Sequence, residues 1–377
     1  MHRLSTIAAI TFPTRLIVFV AAFVTALAHA ATAPNSESLL REGDAVLRDF
    51  VFTSGEKLPE LRIHYRTLGN PTRDAKGHVS NAVLIMHGTT GTGTQFLQQG
   101  FASELYLPGQ PLDVRSHFIV LIDCIGHGDS SKPSDGLRAK FPRYGYRDVV
   151  TSQYRVLKEK LDVDHLLLVM GTSSGGMQTW LWGEMYPDFM DGLVPLGCLP
   201  IQVSGRNRVW RRMIIDAIRG DPAWQDGNYT VQPPSLRLAG QVAFFMSSNP
   251  VLRQKAMPTL QKSDEVLDAF IAGFLEHSDA NDVLYAIESS YDYDPAPKLG
   301  EIKAQVLAIN SFDDLIDPPE LGVLEREIKR VPNGRIYMIP YDGNSRGHGS
   351  HTYPKLWKAE LLDLLDDIAA AKKAAKP

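Results

Sequence analysis

Three short stretches, far apart in the chain, carry residue types that together can run nucleophilic acyl chemistry. The first is Gly171-Thr172-Ser173-Ser174-Gly175-Gly176. A serine between glycines suits a turn too tight for neighbouring Cβ atoms. Such a turn lifts the Ser173 hydroxyl clear of its surroundings. A serine hydroxyl is a weak nucleophile until a base takes its proton, and the base needs an acid to hold its tautomer. The second stretch, Ser311-Phe312-Asp313-Asp314-Leu315-Ile316-Asp317-Pro318-Pro319, offers the acid. The third, Arg346-Gly347-His348-Gly349-Ser350-His351, offers the base.

Within these stretches the residues differ in standing. Asp314 lies four residues before Pro318, on a turn leaving an apolar run, and is the favoured acid; Asp313 stays open as the alternative. Asp313 and Asp317 otherwise read as solvated or helix-capping groups. His348 sits between two glycines, so its backbone can come close to the serine turn. His351 reads as a loop or helix-start residue, His87 and His127 as turn hydrogen bonders, and His277 as a surface residue. An oxyanion formed on an acyl carbon needs two fixed N–H donors. The backbone of Ser174, next to the nucleophile, and of Thr89, after an earlier strand, would supply them. Two histidines and two distant cysteines do not make a four-ligand metal set, so no metal and no cofactor is expected.

The elements that must position these groups are legible in the pattern. Val46 to Leu68 alternates apolar and polar residues around Ser54-Gly55, as a hairpin at a sheet edge does. Ala82–Met86, Phe118–Ile122, Leu166–Met170, Leu193–Leu196, Val306–Asn310 and Arg335–Ile339 are short apolar runs suited to buried parallel strands. Helical patterns run over Tyr144–Leu161, Met177–Tyr186, Glu320–Lys329 and Trp357–Ala371. This alternation predicts an α/β fold with a mostly parallel, doubly wound sheet. From 201 to 302 helical segments dominate, at Val209–Arg219, Leu236–Met246 and Asp264–Glu276, and predict an inserted helical cap. Its apolar residues Trp210, Phe244, Phe245 and Met246 are candidates to line an acyl pocket. The core is thus divided into 31–200 and 303–377, with the cap between.

The chain has 377 residues, 44% hydrophobic, with a net charge of −4 and no long run of like charge. That balance supports one large core and argues against nucleic acid as a partner. Residues 1–30 pair Arg3 and Arg15 with an apolar run, Leu16 to Leu27, and end in Ala28-His29-Ala30, the pattern of a cleavable secretory signal. The run falls short of the ~20 residues a membrane span needs. The mature chain is therefore expected to be periplasmic or secreted, with no membrane span. The predicted sheet order puts the strands leading to Cys124 and Cys198 roughly 14 Å apart, beyond disulfide reach. Both cysteines are expected to be reduced and buried.

These motifs are similar to those of the homoserine O-acetyltransferase branch of the α/β-hydrolase superfamily. Tyr65-Arg66-Thr67-Leu68-Gly69 resembles its Y-x-T-x-G edge strand, and His87-Gly88-Thr89-Thr90-Gly91 its H-A-L-T-G oxyanion loop. Ser173-Ser174-Gly175-Gly176-Met177-Gln178 resembles its S-M-G-G-M-Q elbow, and Ala217-Ile218-Arg219-Gly220-Asp221-Pro222-Ala223-Trp224 its A-I-x-x-D-P-x-W cap segment. The resemblance implies the α/β-hydrolase fold, a Ser173–Asp314–His348 triad, and a homodimer through the cap. The chain departs from the family's pattern in three places. Gly349 stands where the family has an acid, Gly240 where it has a cap arginine, and Asp123 to Ser130 looks like a D-x-x-G-x-G-x-S esterase loop. Both glycine positions lose charge that a zwitterionic substrate would pair with. The expectation is an exported serine hydrolase that cleaves a small-molecule carboxylic ester. The alternative is an acyltransferase of the homoserine O-acetyltransferase type with an acyl-CoA donor.

Overall fold

The computed structural model describes residues 39–374. The segment read as a signal peptide, 1–30, lies outside the described residues. Eight strands form one sheet: β1 Arg41–Val51, β2 Lys57–Leu68, β3 Ala82–Met86, β4 Phe118–Ile122, β5 Leu166–Thr172, β6 Met190–Leu196, β7 Gln305–Ser311 and β8 Gly334–Ile339. Their order is β1-β2-β4-β3-β5-β6-β7-β8. The β1–β2 hairpin is antiparallel and turns at Ser54-Gly55, as its alternation predicts; from β4 to β8 every pairing is parallel. β3 and β4 are wholly buried, which is why their sequences are unbroken apolar runs.

Helices cover both faces. α1 (Gln99–Leu105) and the final helix, α10 (Lys358–Ala374), cover one face through Phe101, Leu105, Leu361, Leu364 and Ile368, with Trp357 at the entry to α10. α2 (Tyr146–Arg155), α3 (Ser174–Met185) and α9 (Val323–Glu327) cover the other, where Val149, Trp180, Trp182 and Leu324 pack. α2 runs on as a wider π turn to Lys160. The helix expected over Glu320–Lys329 is shorter. Pro318-Pro319 starts only a single turn, and Gly322, left-handed at φ 59°, separates that turn from α9.

Between β6 and β7 the chain builds the cap from α4 (Gly205–Arg219), α5 (Leu236–Met246), α6 (Pro250–Ala256), α7 (Leu260–His277) and α8 (Ala280–Glu288). The cap has its own apolar cluster, in which Ile214, Ile218, Leu236, Val242 and Leu284 meet. α6 and α8 were not among the helices read from the sequence. Both are short, and their starts are set by the side chains of Asn249 and Asp279, which accept the first free N–H groups.

The order of strands reverses at β3 and β5, which lie side by side. Ligands of such sheets bind beyond the strands' carboxyl ends at that crevice. The loop after β3 carries Thr89 and the turn after β5 carries Ser173. Cys124 and Cys198 follow β4 and β6, three strand positions apart, and both are free and buried.

Candidate active site

Ser173 joins β5 to α3 with φ 55° and ψ −115°, a conformation that costs a side-chain-bearing residue free energy. The surrounding structure holds it there. Its N–H donates to the Leu196 carbonyl at 2.8 Å, and its own carbonyl accepts from Met177 N–H at 3.0 Å. Two glycines make the turn sterically possible. A Cβ on Gly171 would lie 2.2 Å from the Gly175 carbonyl oxygen, and one on Gly175 would lie 2.2 Å from that of Met86. The loop after β3 presses against the serine, since a Cβ on Gly88 would stand 3.5 Å from Ser173 Cβ.

His348 reaches Ser173 from the loop after β8. Its Nε2 lies 2.9 Å from Ser173 Oγ, and its Nδ1 lies 2.8 Å from Asp314 Oδ2. Asp314, on the loop leaving β7, is fixed in turn. Its Oδ1 accepts the N–H of Ile316 at 2.8 Å and of Asp317 at 3.1 Å. All of Asp314 and nearly all of His348 are buried. Burial alone would raise the Asp314 pKa, but the attraction of His348 and these hydrogen bonds outweigh it and hold the carboxyl below its usual range. For His348, burial would lower the pKa, and the facing Asp314 charge outweighs that and raises it. The pair is therefore built to favour imidazolium beside carboxylate.

Of the two adjacent aspartates, Asp314 is the one that meets His348. Asp313 turns the other way and organises the loops. It accepts from Ser345 Oγ at 2.9 Å, from Gly347 N–H at 3.0 Å, and also from Ser311 and from Asn249 of the cap. Asp317 is not a solvated or capping residue as the sequence suggested. It is 3% exposed, and its carboxylate, that of Asp314 and the His348 ring offer atoms within 4.8 Å of one another. Both ring nitrogens of His348 are already engaged, Nδ1 by Asp314 and Nε2 by Ser173.

His351 lies in the short turn Gly349–Thr352, as the sequence reading has it, but it is not a surface group. It is buried with its ring edge against the His348 ring, centroids 4.7 Å apart, and burial pushes its pKa down to about 3. It is a neutral wall beside the base. His127 and His87 are turn hydrogen bonders as expected. His127 Nε2 sits 2.8 Å from the Thr89 carbonyl, which ties down the loop bearing the proposed oxyanion donor. His87 Nδ1 sits 2.8 Å from the Gly88 carbonyl, and its Nε2 accepts the Cys124 N–H at 3.0 Å. Ser174 is the first residue of α3, so its N–H is among those a helix leaves without an internal partner. Thr89 lines the same cavity as Ser173, and Ser174 is buried just behind it.

That cavity, about 980 Å³, lies between the sheet's carboxyl edge and the cap. Trp210 and Met246 line it, as the sequence suggested. Phe244 and Phe245 do not. α5 turns Ala239, Val242, Ala243 and Met246 inward at helical spacing, so the two residues between point elsewhere. Phe245 is 69% exposed, and Phe244 packs on Phe270 under the Arg253 guanidinium. The apolar lining that sequence reasoning missed comes from Phe270 and Phe274 on α7, Ile287 on α8 and Ile316 beside Asp314. His277 is exposed at the cavity rim. No spacing rule names these residues, because their cap helices meet the site only after packing.

Comparison with known proteins bears on the family and the fold. A family model described as the alpha/beta hydrolase fold matches residues 81–344. The chain is 31% identical to a probable acyltransferase of Methanothermobacter thermautotrophicus, over 78% of this chain and 88% of that one. It is 34% identical to a homoserine O-acetyltransferase of Chlorobaculum parvum over 50% of this chain, spanning about half (53%) of that relative. In fold it is similar to an acetylester hydrolase from Corynebacterium glutamicum, with a TM-score of 0.75 at 22% identity, covering 86% of this chain and 96% of that one. With an eight-stranded, mostly parallel sheet behind a Ser–His–Asp arrangement, the chain belongs to the alpha/beta hydrolase family, in a branch like the homoserine O-acetyltransferases, and is an enzyme of the hydrolase or acyltransferase kind.

Proposed function

We propose that this protein is an exported serine hydrolase that cleaves a carboxylic ester through an acyl-enzyme on Ser173. One observation carries the reading: the continuous hydrogen-bonded chain from Ser173 Oγ through His348 to Asp314. In the first half-reaction His348 Nε2 takes the hydroxyl proton as Oγ attacks the acyl carbon. Asp314 holds the Nδ1–H tautomer and faces the charge that forms on the ring. The backbone N–H groups of Ser174 and Thr89 meet the oxyanion, each worth about 3 kcal/mol of transition-state stabilisation. The imidazolium then protonates the leaving alcohol. In the second half-reaction the same ring takes a proton from water as its oxygen attacks the acyl carbon, then returns that proton to Ser173 Oγ as the acyl–Oγ bond breaks, and the acid product leaves.

Water as the acceptor is supported by the cap. A Cβ at Gly240 would lie 2.8 Å from Phe274 and 3.0 Å from Ile271, so the packing of α5 on α7 leaves no room for the arginine that the family resemblance implies at this position. Gly349 supplies no charge after the base. Export rests on residues 1–30, and an exported enzyme would not meet acyl-CoA. The cavity's apolar cap wall suits an ester with an apolar acyl group.

The second reading is transfer to an acceptor alcohol, favoured by the likeness to a probable acyltransferase, 31% identical. One assay separates the two. With p-nitrophenyl esters of short and medium chain length, the wild type is expected to release nitrophenol without an acceptor. Acetyl-CoA and homoserine are expected to react no faster than acetyl-CoA alone is hydrolysed. Acetyl transfer to homoserine that outruns hydrolysis would replace the first reading with the second.

A further inference from the structure

A second carboxylate stands beside the base, and the cap holds it. Asp317 Oδ1 accepts from Asn207 Nδ2 at 3.3 Å, and Asn207 Oδ1 accepts from Arg211 Nε at 3.0 Å. Both Asn207 and Arg211 are on α4 of the cap, one helical turn apart, and both are buried. Arg211 is 1% exposed, and among the described residues no carboxylate lies within ion-pair distance of it. Its Nη1 has only the Ile287 carbonyl, at 3.4 Å, and Ser290 Oγ, at 3.3 Å. A buried guanidinium needs a counter-charge. Here the Asn207 amide links it to Asp317, which leaves Asp317 Oδ2 buried without a hydrogen-bond partner in the Asp314–His348 cluster.

We infer that Asp317 is a positioning residue for His348: its carboxylate, held through Asn207 by Arg211 of the cap, sets a second negative charge against the imidazolium that forms during acyl transfer. The inference rests on the triad reading above and adds a role for the cap, which thereby contributes to the strength of the base.

The groups facing Asp317 from each packed element are few. They are Asp314 and His348 from the loops after β7 and β8, Arg211 from α4, Cys198 after β6, and Tyr293 beyond the cap. Burial pushes the Cys198 thiol and the Tyr293 hydroxyl up, so both are uncharged near neutrality. Burial and the Asp314 charge push Asp317 up to about 7, opposed by His348, Asn207 and Arg211. Its charge is therefore sensitive to the amide that links it to the cap, in the pH range where His348 works.

The test is the pH dependence of kcat and KM on a p-nitrophenyl ester. Asp317→Asn keeps the shape and the Asn207 contact but removes the charge. The imidazolium loses one attractive neighbour, so the acid limb is expected to move to lower pH and kcat to fall about tenfold, with KM unchanged. Asn207→Leu removes the donor to Asp317 and favours the neutral carboxyl, so it is expected to act in the same direction. The double variant Asn207→Leu/Asp317→Asn is expected to match Asp317→Asn alone, because both changes remove one charge. A wild-type acid limb in Asp317→Asn, or a fall in kcat with no movement of the limb, would overturn the inference. Should that variant fail to fold, Asn207→Leu alone decides on the same criterion. Ser173→Ala separates the two readings: if it stays active the triad reading fails, and if it is dead while Asp317→Asn is unshifted, only this inference fails.

Discussion

His348 Nε2 stands 2.9 Å from Ser173 Oγ, although the two residues are 175 positions apart in the chain. The contact closes between loops at the carboxyl ends of β5 and β8, strands with β6 and β7 between them. It is short enough for proton transfer without rearrangement. The acid side is as tight, with Asp314 bound to Nδ1 at 2.8 Å. Everything proposed for function depends on this pair.

Removing the nucleophile should abolish activity and spare the fold. Ser173→Ala is expected to reduce kcat on p-nitrophenyl esters by about 10⁴-fold or more, with the far-UV circular dichroism spectrum unchanged. Ser173→Gly should also be inactive, yet more stable by about 1 kcal/mol, because glycine accepts φ 55° without strain. A thermal melt measures the difference. Equal melting temperatures for the alanine and glycine variants would show that no strain is held at this turn.

The two neighbouring aspartates should separate by kinetics. Asp314→Asn disturbs the tautomer of the base and is expected to lower kcat by about 10⁴-fold. Asp313→Asn leaves the hydrogen bonds of the His348 ring to Ser173 and Asp314 in place. It weakens the hydrogen bonds to Ser345 and Gly347, so a loss of stability on the order of 1 kcal/mol and a much smaller loss of kcat are expected.

The pH profile should report the ion pair. His348 must be neutral to take the Ser173 proton, and the Asp314 charge raises its pKa above the ordinary 6.5. The value of kcat/KM should therefore rise with pH through a midpoint above 6.5. In Asp314→Asn the larger of the two counter-charges is gone and burial remains, so the residual activity should titrate at lower pH than in the wild type. A midpoint that does not move would mean that His348 is not the titrating base.

The cap wall should set chain-length preference. Met246→Ala is expected to raise KM for medium-chain esters several-fold more than for acetate esters, since Met246 lines the cavity. Phe245→Ser removes a side chain that is 69% exposed and should leave both KM values unchanged. Comparing p-nitrophenyl acetate with p-nitrophenyl octanoate in the two variants checks this.

Close packing at the elbow gives a stability prediction. Gly175→Ala drives a methyl group to 2.2 Å from the Met86 carbonyl oxygen, which is backbone and cannot swing aside. A loss of about 3 kcal/mol in urea unfolding is expected, together with loss of activity. Gly100→Ala, with no heavy atom near the new methyl, should be close to neutral.

The parts of this protein that local chemistry dictates are legible in its sequence. A buried parallel strand must be apolar throughout, so β3, β4 and β5 announce themselves. A turn at positive φ under close backbone contact admits few residue types besides glycine, so the run around Ser173 marks its own place. The acid and the base fall after later strands because the sheet order leaves them there. Other features depend on long-range packing, and no local pattern carries them. Which aspartate faces His348 is settled by the N–H groups of Ile316 and Asp317, which trap Asp314, while Ser345 and Gly347 draw Asp313 away. Phe244 and Phe245 read as pocket residues by composition and miss the pocket, because the rotation of α5 is set by its contacts with α4 and α7. The link from Arg211 through Asn207 to Asp317 joins residues about a hundred positions apart. It exists only because folding brings the cap onto the sheet and excludes the water that would otherwise have solvated each of them.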